Sequence, residues 1–397
     1  RSPPAGESFR DDKNIIIHFK IKNRKLSMTA KLIIADSEHD SNMFFATGIW
    51  IPDDFVYLEK NGKRMIFIDD LEFGRVKNEA CVDQVVNYSR YGSGIDRDTF
   101  GNILIKILED NNIKKVLVPG NFKMKHASIL LDNKIGIETM EPFFKERIFK
   151  SKKEIEKIAD VQKINEGAFK RAIAAIKESK IRKDGKLNYK NKILTSEFIR
   201  EILQIEFSKK DCFCDYRIIV SCGEHSADPH EAGTGPLIAN KTIIIDIVPK
   251  SRANRYYSDM TRTIVKGKAS PEMKKMYNAV LGAQKIALNE IRAGARADFI
   301  HKKIQEYFEC KGFKTGEKNG KMQGFFHNTG HGVGLDIHEL PRISANYGKK
   351  LEIGNVVTVE PGLYYSGIGG VRIEDLVVVT KTGCRNLTKF PKVLEIK

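Results

Sequence analysis

Three histidines, His327, His331 and His338, fall within twelve residues of the stretch HNTGHGVGLDIHELPRI, which four glycine or proline breaks keep short and bent. Imidazole at this density serves as metal ligand, as acid–base group, or as the ordinary content of a polar loop. Four carboxylates elsewhere bear on the choice. Asp246 interrupts IIIDIV, Asp259 lies in YYSDMTRTIV, Glu360 follows VVTV, and Glu374 separates GVRI from DLVVV. An ionised carboxylate inside an apolar strand has to be paired or metal-bound, because burying it bare costs several kcal/mol. One such acid is ordinarily half of a salt bridge. Four, with few basic residues in the same strands, suggest a shared cation. With one imidazole added, the donor set suits two hard or borderline divalent ions better than one structural zinc.

The elements that carry these residues belong to a chain of 397 residues, 41% hydrophobic and 9% aromatic, enough for two or three globular domains. Its longest apolar runs, TIIIDIV and VVTV, are of strand length, far short of the roughly 18 residues that span a bilayer. The six cysteines show no framework spacing, and Cys212-Phe-Cys214 has no second pair to complete a tetrahedral site. Reduced thiols in a cytoplasmic protein are expected, and the stretch RSPPAGESFRDDKN lacks the apolar core of a signal peptide. The net charge of +17 raises nucleic acid as a partner. The lysines, however, are dispersed along helices among glutamates (KSKKEIEK, PEMKKMYN), the pattern of a solvated face.

Residues 1–27 read apart from the rest, as an extension or a vector-derived remnant. From Met28 the pattern is clear: FVYL and RMIFI flank EKNG, where Asn61-Gly62 reads as a hairpin turn. A helix in DTFGNILIKILEDNNI and a buried strand in KKVLVPG complete an α/β domain assigned to residues 28–149. Beyond it, Ile155, Ile158, Ile164, Ala168 and Ala172 share one helical face, with Ser151 as N-cap and Glu154 closing a capping box. Further helices are expected in TSEFIREILQIEFSKK, after Ser270-Pro271 and from Asp298, with strands in YRIIVSCG and KTIIIDIVP. Residues 150–397 therefore read as α+β, helices packed on a mostly antiparallel sheet.

Five blocks, PHEAGTG, DIVPKSRANRYYSDMTRT, GHGVGLDIHELPRIS, TVEPGLYY and GVRIEDLVVVT, resemble in this order the signature of the pita-bread metallopeptidases. That family contains methionine aminopeptidases, X-Pro aminopeptidases and X-Pro dipeptidases. ADSEHDSNMFFATG resembles the amino-terminal domain of the creatinase and prolidase branch. The resemblance implies an α+β pita-bread catalytic domain behind an α/β creatinase-like domain, and commonly a homodimer. It implies Asp246, Asp259, His331, Glu360 and Glu374 as ligands of two divalent ions, with manganese favoured and cobalt or zinc as alternatives. His230 and His338 match histidines that hydrogen-bond substrate and tetrahedral intermediate, Glu360 matches a proton shuttle, and His327 has no matching role. Arg342 matches an arginine of prolidase-type members, a natural fork for the carboxylate of a dipeptide. Arg372 is a second candidate, and His39 sits where some relatives send a residue into the neighbouring subunit's site. The Asp246–Asp259 separation is slightly longer than the family's commonest, the extra residues falling in PKSRANRYY.

The expected activity is hydrolysis of the bond before proline in dipeptides or short peptides, with dipeptides favoured. The alternatives are an X-Pro aminopeptidase and an inactive member that binds nucleic acid or protein.

Overall fold

A computed structural model describes residues 29–92 and 97–397, so the reading of residues 1–27 lies outside the described residues. The chain divides into two compact units, residues 1–145 and 146–397. The division precedes the one drawn from composition because residues 147–150 are tied to the second unit. Arg147 is paired with Asp336 and Glu339, the Ile148 carbonyl accepts from Asn355 at 3.0 Å, and Lys150 N donates to the Gly354 carbonyl at 2.9 Å.

In the first unit, strands β1 (Thr29–Ala35), β2 (Phe55–Lys60), β3 (Lys63–Ile68), β4 (Gln84–Asn87), β5 (Lys115–Val118) and β6 (Gly136–Thr139) form one sheet in the order β4-β3-β2-β1-β5-β6. The β2–β3 hairpin closes Lys60 on Lys63, and Asn61 and Gly62 take φ of 53° and 82°, as a two-residue primed turn demands. Helices α1 (Ser41–Thr47) and α2 (Asp70–Glu79) cover one face; α3 (Arg97–Asp110) and α4 (Met124–Asp132) cover the other. β1 shows why: Leu32 and Ile34 pack with Leu104 and Leu130, while Ile33 and Ala35 pack with Met43 and Val76. A strand covered on both faces is apolar throughout instead of alternating.

The second unit opens with α5 (Lys152–Glu178). Its capping box is formed, Ser151 N donating to Glu154 at 2.8 Å and Glu154 N to Ser151 Oγ at 3.3 Å. Ile155, Ile158, Ala168 and Ala172 are buried on its inner face and Ile164 is partly so. α6 (Ser196–Ser208), α7 (Pro271–Glu290) and α8 (Ala297–Cys310) follow. A four-stranded sheet contains Ile219–Cys222, Thr242–Ile247, Met260–Lys266 and Glu395–Ile396. A five-stranded antiparallel sheet contains Gly330–Gly332, Glu339–Ile343, Val356–Val359, Asp375–Val379 and Cys384–Asn386. No helix among the described residues is long and apolar enough to cross a membrane.

Strand alternation then places the acids. Ile243, Ile245 and Ile247 join Phe169 and Phe207 beneath the helices, which turns Asp246 to the opposite face. Met260 and Ile264 do the same for Asp259, Val357 and Val359 for Glu360, and Ile373 for Glu374. Each buried Ile or Val side chain contributes about 1.5–3 kcal/mol to holding its strand down. The apolar face thus aims four carboxylates to one side.

Candidate metal centre

Asp259, His331 and Glu374 offer ligand atoms that all lie within 4.8 Å of one another, and all three residues are buried. His331 Nε2 is also 3.3 Å from Glu360 Oε1 and 3.6 Å from Asp259 Oδ2. Its Nδ1 lies 3.2 Å from the Gly332 carbonyl, which can only accept, so Nδ1 carries the proton and Nε2 keeps its lone pair. Gly330 makes this approach possible: a Cβ there would stand 2.0 Å from the Thr358 carbonyl. The Thr358 hydroxyl accepts from His331 N at 3.0 Å and donates to Glu360 Oε1 at 3.3 Å.

Asp246 stands opposite Thr261 in the ladder, and Thr261 donates to Glu374 Oε2 at 2.7 Å while its carbonyl accepts from Glu374 N at 3.1 Å. The extra residues between Asp246 and Asp259 do not disturb this register. They form a short pairing of Lys250–Ser251 with Cys212–Phe213, outside the ladder.

The electrostatics call for a cation. Burial, reinforced by Glu374, Asp246 and Glu360, raises the Asp259 carboxyl well above its ordinary range; burial with Glu360 and Asp246 does the same to Glu374. Burial pushes Glu360 up to about 7, with Arg372 opposing and Asp246 reinforcing. Burial, aided by the neighbouring His338, takes His331 down to about 3. Acids that cannot ionise together and an imidazole that cannot protonate describe a site whose compensating charge is positive. Asp259 Oδ1 and Glu374 Oε1, both buried, have no hydrogen-bond partner among the described residues. Orphaned buried oxygens in a carboxylate-rich set fit divalent ions.

The accessory residues divide. The His338 ring stands edge-on to His331 with centroids 4.4 Å apart. The charge of His230 bears on both His338 and His327, lowering each. Arg342, exposed, pairs opposite His331 in the ladder, and its charge lowers His338. Arg372 is different. Its guanidinium is walled in, Nη2 donating to Asp246 Oδ2 at 2.5 Å and to the Pro229 carbonyl at 3.3 Å, and Nη1 to the Tyr364 hydroxyl at 2.6 Å. Committed to Asp246, Tyr364 and the Pro229 carbonyl, it has no open fork for a substrate carboxylate. His39 belongs to the first unit, where Nδ1 lies 2.9 Å from Asp36 Oδ1 and the side chain is 78% exposed.

Sequence reading misses Tyr364, Tyr216 and the position of His327. Because Arg372 can only donate, the Tyr364 oxygen accepts from it, and its own hydrogen points to His327 Nε2 at 3.0 Å. A hydrogen-bonded chain thus runs from His327 to Asp246. Tyr364 lies in the TVEPGLYY block, where the glutamate alone draws notice by its chemistry. The half-exposed Tyr216 ring lies 6.3 Å from His338, with no signal in its own segment beyond being aromatic.

Comparison with known proteins agrees with the geometry. The model of metallopeptidase family M24 matches residues 156–381. The Xaa-Pro dipeptidase of Pyrococcus furiosus is 31% identical over 334 residues, 83% of this chain and 85% of that protein. The prolidase of Pyrococcus horikoshii has a similar structure, with a TM-score of 0.76 and 27% identity over 92% of this chain and 95% of that one. The X-Pro aminopeptidase of Thermotoga maritima compares at 0.75 and 26%, over 93% and 97% of the two chains. With its carboxylate–imidazole cluster in place, the chain belongs to metallopeptidase family M24, in the prolidase branch of the pita-bread fold, and is a metal-dependent hydrolase.

Proposed function

We propose that this chain hydrolyses the peptide bond before proline, with X-Pro dipeptides favoured over longer X-Pro peptides. The observation that carries the reading is the exposed Arg342, paired in the ladder opposite His331, one of five metal-ligand candidates. Asp246, Asp259, His331, Glu360 and Glu374 would hold two divalent ions, whose chemistry is a water acidified to about pKa 7 and a polarised carbonyl. Glu360 takes the proton of the attacking water and returns it to the leaving nitrogen. His338 and His230 donate to the oxygen on which charge develops. Arg342 receives the carboxylate that follows proline in a dipeptide. Proline's tertiary amide offers no N–H, and none of these groups requires one.

The second reading, an X-Pro aminopeptidase, is supported by the likeness to the Thermotoga maritima enzyme and needs no carboxylate receptor. Manganese is the ion we favour, since the donors are mostly carboxylate oxygens. A homodimer, with His39 offered to the partner subunit's site, and a cytoplasmic location complete the proposal; six free thiols suit a reducing compartment.

The test is cleavage of Ala-Pro against Ala-Pro-Ala by metal-stripped protein resupplied with Mn2+, with Glu360→Ala as control. Cleavage of the dipeptide alone supports the dipeptidase; cleavage of the tripeptide alone supports the aminopeptidase. Cleavage of neither sinks both.

A further inference from the structure

His338 sits at the end of a loop, residues 333–338, that joins the Gly330–Gly332 and Glu339–Ile343 strands and carries its ring back over His331. The ladder's register shifts after His331. Tyr257 N donates to the Gly334 carbonyl at 2.9 Å and Gly334 N to the Asp336 carbonyl at 3.0 Å, and a cluster of charges adds to these at the end of the loop nearest His338. Arg147 Nη2 donates to Asp336 Oδ2 at 2.6 Å and to Glu339 Oε2 at 2.9 Å. Lys150 Nζ meets Glu339 Oε1, and Asp336 N donates to Glu339 Oε2 at 3.4 Å. The lysine side chain is 1% exposed, that of Glu339 10% and that of Arg147 12%. Gly334 lies so close that a Cβ there would stand 2.3 Å from Glu339 Oε1. The two cations are themselves on anchored backbone, because Lys150 N and the Ile148 carbonyl are tied to Gly354 and Asn355.

We propose that Glu339, gripped by Arg147 and Lys150, is a positioning residue: its carboxylate clamps the loop from below and so fixes the imidazole of His338, the residue immediately before it, over the reacting bond. The inference rests on the peptidase reading above. Glu339 spends one carboxylate oxygen on Arg147 and the other on Lys150. Its effect has to pass through the backbone it shares with His338. Buried charge pairs of this sort hold one geometry, since any displacement strands a charge. A neutral amide of the same shape keeps the fit and loses the grip.

The test is a kinetic cycle of Glu339→Gln and His338→Ala on the metal-loaded chain, using whichever of Ala-Pro and Ala-Pro-Ala the wild type cleaves. Glu339→Gln is expected to lower kcat roughly 10–100-fold, the range for residues that orient a catalytic group, with KM little changed. Metal content by elemental analysis is expected to equal that of wild type. In the His338→Ala background the same substitution is expected to cost nothing further in kcat/KM. An equal loss in both backgrounds, or loss of metal, overturns the proposal while leaving the peptidase reading intact. A wild type that cleaves neither peptide overturns the peptidase reading and this inference with it. Should Glu339→Gln fail to fold, Arg147→Met, which retains the Lys150–Glu339 pair, takes its place in the cycle with the same expectations.

Discussion

Arg372 and Asp246 form a buried ion pair, with Nη2 2.5 Å from Oδ2, although they lie 126 residues apart in the chain. The arginine holds one Asp246 oxygen, while Tyr364 and the Pro229 carbonyl fix its own plane; on the proposed reading the other oxygen would meet a metal ion. Arg372→Met is therefore expected to reduce kcat/KM by roughly 10–100-fold through a misoriented ligand. The loss is expected to be the same for Ala-Pro and for its carboxamide. A loss confined to the free acid would reveal a carboxylate receptor and return Arg372 to the substrate.

Arg342 carries the opposite expectation. A charge-assisted hydrogen bond to a substrate carboxylate contributes about 1.5–3 kcal/mol, so Arg342→Ala should cost roughly 10–100-fold in kcat/KM for Ala-Pro. Ala-Pro-amide and Ala-Pro-Ala should be nearly untouched. Steady-state kinetics on the three substrates distinguishes a receptor from a surface arginine, since a surface residue would move none of them.

The contrast between the two arginines shows what a sequence makes visible. The candidate ligand acids are legible because a carboxylate in IIIDIV or after VVTV is anomalous on its face, and the buried apolar residues beside each one face the other way. Asn61-Gly62 and Ser151/Glu154 are legible because turn and cap act over a few residues. Pairings made by the meeting of distant strands leave no local trace. Arg372 on Asp246, Tyr364 on His327 and Lys150 on Glu339 join positions 126, 37 and 189 residues apart. In the sequence Lys150 reads as one more surface lysine at the head of a helix.

Removal of metal should invert the pH dependence of stability. Burial raises Glu360 from 4.5 to about 7, and Asp259 and Glu374 are raised as well. Below pH 4.5 both folded and unfolded glutamates hold their protons, and folding loses nothing to them. As pH rises, the unfolded chain ionises first, so stability falls until the folded Glu360 also ionises near 7. The metal-stripped protein should thus have a lower Tm at pH 7.5 than at pH 5.5. The loaded protein should show the reverse, because ligands must lose protons to bind an ion. Thermal melts in EDTA and in Mn2+ at the two pH values check both signs.

Glu374→Gln separates the burden of the site from its purpose. Glutamine has the shape of the protonated carboxyl and can still accept from Thr261, which donates to Glu374 Oε2 at 2.7 Å. In the metal-free protein at pH 8 the substitution removes an acid whose ionised form is disfavoured by burial and by Glu360 and Asp246. It should therefore raise the stability of the stripped protein, since burial works against the ionised form of the carboxyl it replaces. The same change deletes an anionic donor beside Asp259 and His331, so metal affinity and peptidase activity should collapse together. Denaturant unfolding of the stripped protein and Mn2+ titration are the paired measurements. A substitution that weakened folding and left metal binding intact would mean that Glu374 is an ordinary buried carboxylate; stabilisation with lost metal would mean that the fold tolerates its acids for the cation they hold.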